Sequence, residues 1–93
     1  MPSITLASSI TQRVGRGPGE WRIDCVAPTV EACLEAAFAD SPALRGYLLD
    51  EHGRVRPHVA VFVDGRALRD KSDLGIPLEA DAEIHVFQAL SGG

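Results

Sequence analysis

Apolar and polar positions alternate with period two in several short runs and take a helical period in the middle of the chain. Near the N-terminus Ile4, Leu6, Ser8 and Ile10 alternate with Thr5, Ala7 and Ser9, which predicts a strand with one inward face. Val14-Gly15-Arg16-Gly17-Pro18-Gly19 is a turn cluster. Trp21, Ile23 and Cys25 then alternate with Arg22 and Asp24, so the two runs predict a hairpin with a long, glycine-rich connection. Pro28-Thr29 opens a helix: the Thr29 hydroxyl can accept a free first-turn N–H, and Glu31 complements the helix dipole. Val30, Cys33, Leu34, Ala37 and Phe38 fall at i, i+3, i+4, i+7 and i+8, the apolar stripe of a helix packed on a core. Asp40-Ser41-Pro42 ends it. Residues 42–49 predict a short second helix with Leu44, Tyr47 and Leu48 inward, followed by a loop at 50–53. Residues 58–63 form the strongest strand by β-branched content, and Asp64-Gly65 after them signals a tight hairpin turn. A short strand at 66–69, a turn at 72–77 and a last strand at 83–87 complete the pattern.

Two hairpins therefore flank one main helix. The arrangement that buries the helical stripe is a mixed sheet curled around it, with the first and last strands side by side in the middle. This is an α+β fold in the β-grasp arrangement. The expected organisation is one domain over residues 1–87 and an extended, flexible tail over 88–93. If Ile84 and Val86 face the helix, His85 and Phe87 face outward, and so do Ala60 and Phe62. Phe62, His85 and Phe87 then share the outer sheet face, and an exposed pair of phenylalanines marks a contact surface. The bland alternative is that the 54–58 segment or a second copy covers them.

Composition fits this picture. Of the 93 residues, 45% are hydrophobic and 24% charged, as in a globular domain. Such a length buries roughly 60–70% of the surface of its unfolded chain, enough for a single core. No apolar run approaches the ~20 residues that span a bilayer, and Met1-Pro2-Ser3-Ile4-Thr5 lacks the features of a signal peptide. The expectation is a cytoplasmic protein without membrane partners. Net charge is −4, with four Lys/Arg against five Asp/Glu in residues 1–46 and five against eight in residues 47–93. An acidic C-terminal half and the lack of a basic, aromatic-lined stripe argue against nucleic acid as a partner. The cluster Glu79, Asp81 and Glu83 either steers the chain to a basic partner or is a solvated loop.

Candidate chemistry inside the domain is sparse. The glycine cluster at 15–19 precedes a strand, whereas a phosphate cradle needs a helix N-terminus there. Cys25 and Cys33 have no metal spacing and read as buried thiols acting as small hydrophobes, with their pairing left open. Two cysteines cannot supply the four ligands of a ferredoxin-type cluster. His52, His58 and His85 lack metal-ligand spacing. No metal, bound cofactor or catalytic residue of the chain's own is expected.

The C-terminal sequence carries the strongest signal. The last strand runs without a turn into Gln88-Ala89-Leu90-Ser91-Gly92-Gly93. With Val59-Ala60-Val61-Phe62-Val63-Asp64-Gly65, Leu74-Gly75-Ile76-Pro77-Leu78 and the approach from Asp81 to Phe87, this ending resembles the MoaD/ThiS family of ubiquitin-like sulfur carriers. The match covers residues 57–93 well and residues 1–56 in element order. Gln88-Ala89-Leu90-Ser91 stands where the family more often has a proline-containing tail, and Asp81-Ala82 where it has Asp-Gly.

The resemblance implies a protein cosubstrate with a working group at Gly93. A MoeB/ThiF-type activating enzyme would use ATP and Mg²⁺ to adenylate the Gly93 carboxylate. A persulfide sulfur donor would then displace AMP, and the resulting thiocarboxylate would pass sulfur to an accepting synthase. The family serves molybdopterin, thiamine, cysteine and other thiolated metabolites; the length leans toward a MoaD-like or general carrier. An α-carboxyl group with a pKa near ~3.5 is ionised at neutral pH, and glycines at 92 and 93 can enter a narrow tunnel closed to side chains. Ser91 and Leu90 belong to the same tail, with Leu90 as an anchor during docking. Two other functions compete: a modifier joined to lysines through Gly93, and an interaction domain that uses its sheet face alone. A modifier could form lysine-linked chains of itself only through Lys71, the sole lysine.

Overall fold

A computed structural model of the chain describes residues 1–89. Five strands form one mixed sheet: β1 (Ser3–Leu6), β2 (Trp21–Asp24), β3 (Val59–Val63), β4 (Arg66–Ala67) and β5 (Glu83–Gln88), in the order β2-β1-β5-β3-β4. The first and last strands are central and parallel, in the register Ile4↔Ile84 and Leu6↔Val86. β1–β2 and β3–β5 are antiparallel, which makes the sheet the β-grasp that the element order predicts.

The main helix, α2 (Val30–Asp40), crosses the inner face of the sheet. Thr29 caps it: its side chain accepts the Ala32 N–H at 3.2 Å, as its position before the apolar stripe requires. All five stripe residues are buried, packed in one core with Ile4, Leu6, Val59, Val61, Ile84 and Val86. α3 (Pro42–Leu48) follows directly and adds Leu44 and Leu48, while Tyr47 is half-buried. The turn between β3 and β4 needs left-handed backbone at both central residues: Asp64 has φ 49° and Gly65 φ 82°.

Two expectations are corrected. The first strand ends at Leu6, not Ile10, and a single-turn helix, α1 (Ser8–Thr11), takes the next residues. Pairing with β5 is exhausted once the Ala7 N–H reaches the Val86 carbonyl at 2.9 Å. Turning there still buries Ile10, and the Thr11 hydroxyl donates to the Gly19 carbonyl at 2.8 Å, tying down the glycine loop. The other correction concerns the cysteines. Both are buried, but they are joined in a disulfide, with Cα atoms 6.1 Å apart. β2 parity and the helical stripe aim both side chains into one core, where they meet. Among the described residues no helix is long and apolar enough to cross a membrane.

Candidate functional site

The site is built on β5, the central strand, which pairs with β1 along one edge and β3 along the other. Its even residues Ile84 and Val86 are buried, while His85 is exposed and Phe87 is 36% exposed. Across the outer face the register sets Arg22, Thr5, His85, Phe62 and Ala67 in one row. Phe87 pairs with Ala60 and sits diagonal to Phe62. The two rings stack with centroids 5.2 Å apart and planes 20° from parallel. Period-two geometry thus brings Phe62, His85 and Phe87 together. Each phenylalanine covers part of the other. The 54–58 segment bonds elsewhere: Val55 to the Lys71 carbonyl, Arg56 to the Leu48 carbonyl and the Gly46 carbonyl.

β5 runs one residue further than its pattern predicts, to Gln88, and its exit is held. The Tyr47 hydroxyl donates to the Gln88 side-chain oxygen at 2.9 Å. The Ala89 N–H donates to the His58 carbonyl at 2.8 Å. The Tyr47 and His58 rings meet edge to face at 5.0 Å. Tyr47, His58 and Gln88 therefore form a cradle at the point where the chain leaves the sheet. Sequence reasoning assigned Tyr47 to the core and gave His58 no role, because the partners lie 41 residues apart and no local pattern joins them. The expected working end, Leu90, Ser91, Gly92 and Gly93, lies outside the described residues.

Charge is distributed unevenly along the strand direction. At the start of β5 lie Glu79, Asp81 and Glu83, all exposed, with Asp64 and Asp24 beside them in register. Asp81 faces the α-amino group of Met1 at 3.6 Å. At the exit end lie Arg56, with its guanidinium on the Gly46 carbonyl, and Arg16, stacked 3.5 Å over the Trp21 ring. The acidic cluster therefore sits a strand's length, ~20 Å, from the exit. Two carboxyl groups are held below their ordinary value of 3.8. Asp70 is lowered by the Ser72 hydroxyl and then by the Ser72 N–H. Asp50 is lowered chiefly by the Arg54 N–H, against a smaller upward push from burial. Among the described residues no group of three or more His, Cys, Asp or Glu is arranged to hold a metal.

Comparison with known proteins agrees with this fold. A model of the ThiS family matches residues 11–93. Over 80 residues the chain is 32% identical to small archaeal modifier protein 3 of Haloferax volcanii, covering 86% of this chain and 85% of that protein. The crystal structure of SAMP1 from Haloferax volcanii superposes with a TM-score of 0.69 at 26% identity, over 98% of this chain and 99% of that one. A chain of the Amycolatopsis orientalis BexX/CysO complex shares the fold with a TM-score of 0.73 at 14% identity, covering 97% and 99% of the two chains.

Proposed function

The chain belongs to the ThiS family of small ubiquitin-like proteins, and we propose that it is a sulfur carrier with its Gly93 carboxylate as the working group. The observation that carries this reading is the held exit of β5. A central strand, fixed at Gln88 by Tyr47 and at Ala89 by His58, delivers the next residues from a rigid platform. Their sequence, Leu90-Ser91-Gly92-Gly93, ends in two residues without side chains to obstruct an active-site tunnel.

The chemistry then proceeds on partner enzymes. A carboxylate oxygen of Gly93 attacks the α-phosphorus of ATP, pyrophosphate leaves, and an acyl-adenylate forms. The terminal sulfur of a protein persulfide attacks the acyl carbon and AMP leaves. A thiol cleaves the resulting acyl disulfide, becoming part of a mixed disulfide with the donor and releasing the thiocarboxylate. In this reading the chain's own terminus is the reacting group, and the chain acts as a cosubstrate. Phe62, His85 and Phe87 form the face that docks on the MoeB/ThiF-type activating enzyme, and the stacked, partly exposed rings of Phe62 and Phe87 are the apolar anchor. A synthase that accepts sulfur completes the set of partners.

A second reading shares the first step. The 32% identical relative is a small archaeal modifier protein, and an amine attacking the same adenylate would give an isopeptide and AMP. One experiment separates the two. The full chain is incubated with ATP, a ThiF-type enzyme and a persulfide donor, and its intact mass is followed. Exchange of one terminal oxygen for sulfur supports the carrier. Attachment to a lysine of another protein supports the modifier. No ATP-dependent change with any cognate activating enzyme defeats both.

A further inference from the structure

Lys71, the chain's only lysine, has its side chain fully engaged. Nζ lies 3.2 Å from the carbonyl oxygen of Arg56, 3.4 Å from that of Pro57 and 2.6 Å from that of Val59. An ammonium group has three N–H donors and no acceptor, so these carbonyls satisfy it. The main chain of the same residue adds a fourth link, its carbonyl accepting the Val55 N–H at 2.9 Å. One residue thus holds the 55–59 segment from side chain and backbone together.

The short β4 explains why an ammonium is there. β4 pairs with only Phe62 and Val63, and the last bond on that edge runs from the Leu68 N–H to the Val61 carbonyl at 2.8 Å. The Val59 carbonyl points to the same side of β3, past the end of β4. Lys71 Nζ stands where a longer strand would have placed an N–H. A charged donor also closes an open sheet edge against pairing with another chain.

The clasped segment is the one that holds the exit. His58 lies between Pro57 and Val59, both bonded to Lys71, and its own carbonyl takes the Ala89 N–H. Its ring packs on Tyr47, which holds Gln88. We propose that Lys71 is a positioning residue that fixes the departure point of the C-terminal tail, and that its amine is thereby withheld from acylation. Acyl transfer to Nζ requires the nitrogen to leave three carbonyls and turn a lone pair outward. The inference rests on reading residues 90–93 as the working end. It adds that conjugates of this protein do not extend into lysine-linked chains.

The test uses the full chain and needs no activating enzyme. Limiting acetic anhydride is added with Nα-acetyl-lysine amide as internal reference, and Lys71 acetylation is read by peptide mass spectrometry. Native Lys71 reacts at least about tenfold slower than the reference and equally fast in urea, as expected for an amine that reacts through local opening. Equal rates in the native protein overturn the proposal. In K71M the Ala89 amide exchanges with solvent about tenfold faster, while the Ile84 and Leu34 amides keep their protection. K71R, which retains a cation with several donors, restores most of the Ala89 protection. Unchanged Ala89 exchange in K71M, or K71R behaving like K71M, overturns it equally. Should K71M fail to fold, acetylation of the wild-type chain decides. A fast-reacting Lys71 removes the clasp and leaves the carrier standing; a slow Lys71 with no ATP-dependent activation does the reverse.

Discussion

Phe62 and Phe87 illustrate how a position in a strand becomes an exposed chemical group. Period-two geometry forces both outward because Val61 and Val86 are needed inward, and the diagonal register brings the rings to 5.2 Å. A stacked aromatic pair is coupled by about 0.5–1.5 kcal/mol, and partial exposure places this one at the low end. Phe62→Ala and Phe87→Ala should therefore lower folding stability modestly, with a double-mutant cycle in urea giving a coupling near 0.5 kcal/mol. Each should weaken docking on the activating enzyme at least about tenfold, equivalent to ~1.4 kcal/mol, as measured by titration calorimetry. Undiminished affinity in both variants would assign docking to another surface. These residues were legible from sequence because alternation is a local rule. The Tyr47–Gln88 and Lys71–Val59 contacts were not, because they depend on where α3 and the 70–72 turn settle after folding.

At the level of elements, the turn that presents Lys71 has its own electrostatic support. Asp70 accepts the Ser72 hydroxyl at 2.5 Å and the Ser72 N–H at 2.9 Å, so its carboxyl is held below 3.8 in the folded chain. A carboxyl with a depressed folded pKa stabilises the fold fully above its unfolded value. That contribution is lost as the pH falls through the folded value. The turn should loosen gradually as the pH falls through the folded value, which lies below the ordinary 3.8. Ser72→Ala removes the largest cause, so the Asp70 carboxyl should titrate closer to its ordinary value in a ¹³C NMR titration. Wild-type and variant stability curves should converge at low pH. An Asp70 titration unmoved by Ser72→Ala would transfer the effect to the backbone N–H. Most element boundaries were readable for similar local reasons: Thr29 before a helical stripe, Asp64-Gly65 between β-branched runs. The stretch from Ser8 to Thr11 was misread because Ile10 fits the inward parity of a strand and the buried side of a one-turn helix equally well. Only the end of β1–β5 pairing, a tertiary fact, decides between them.

Across the whole molecule, the disulfide and the proposed working end lie at opposite ends of the sheet. Cys25 follows Asp24, which pairs with Ser3 beside Glu83 at the start of β5, whereas Ala89 leaves from its far end. The disulfide closes a short loop with a sequence separation of 8, tying the end of β2 to the first turns of α2. In the chain-entropy account a loop of that size stabilises by about 2.5 kcal/mol. Reduction should therefore lower the urea-unfolding free energy by about 2–3 kcal/mol. The fold should survive, because Cys25 and Cys33 are 4% and 0% exposed and pack as small apolar groups once separated. Because the hydrogen bonds of the exit cradle, made by Tyr47, His58 and Lys71, go to residues 55–59, 88 and 89 and not to this loop, reduction should leave both the Ala89 exchange rate and ATP-dependent activation unchanged. Activation that falls with reduction in step with stability would mean the two ends are coupled through the shared core. Activation that persists in a measurably weaker fold would show that reduction leaves the proposed working end intact.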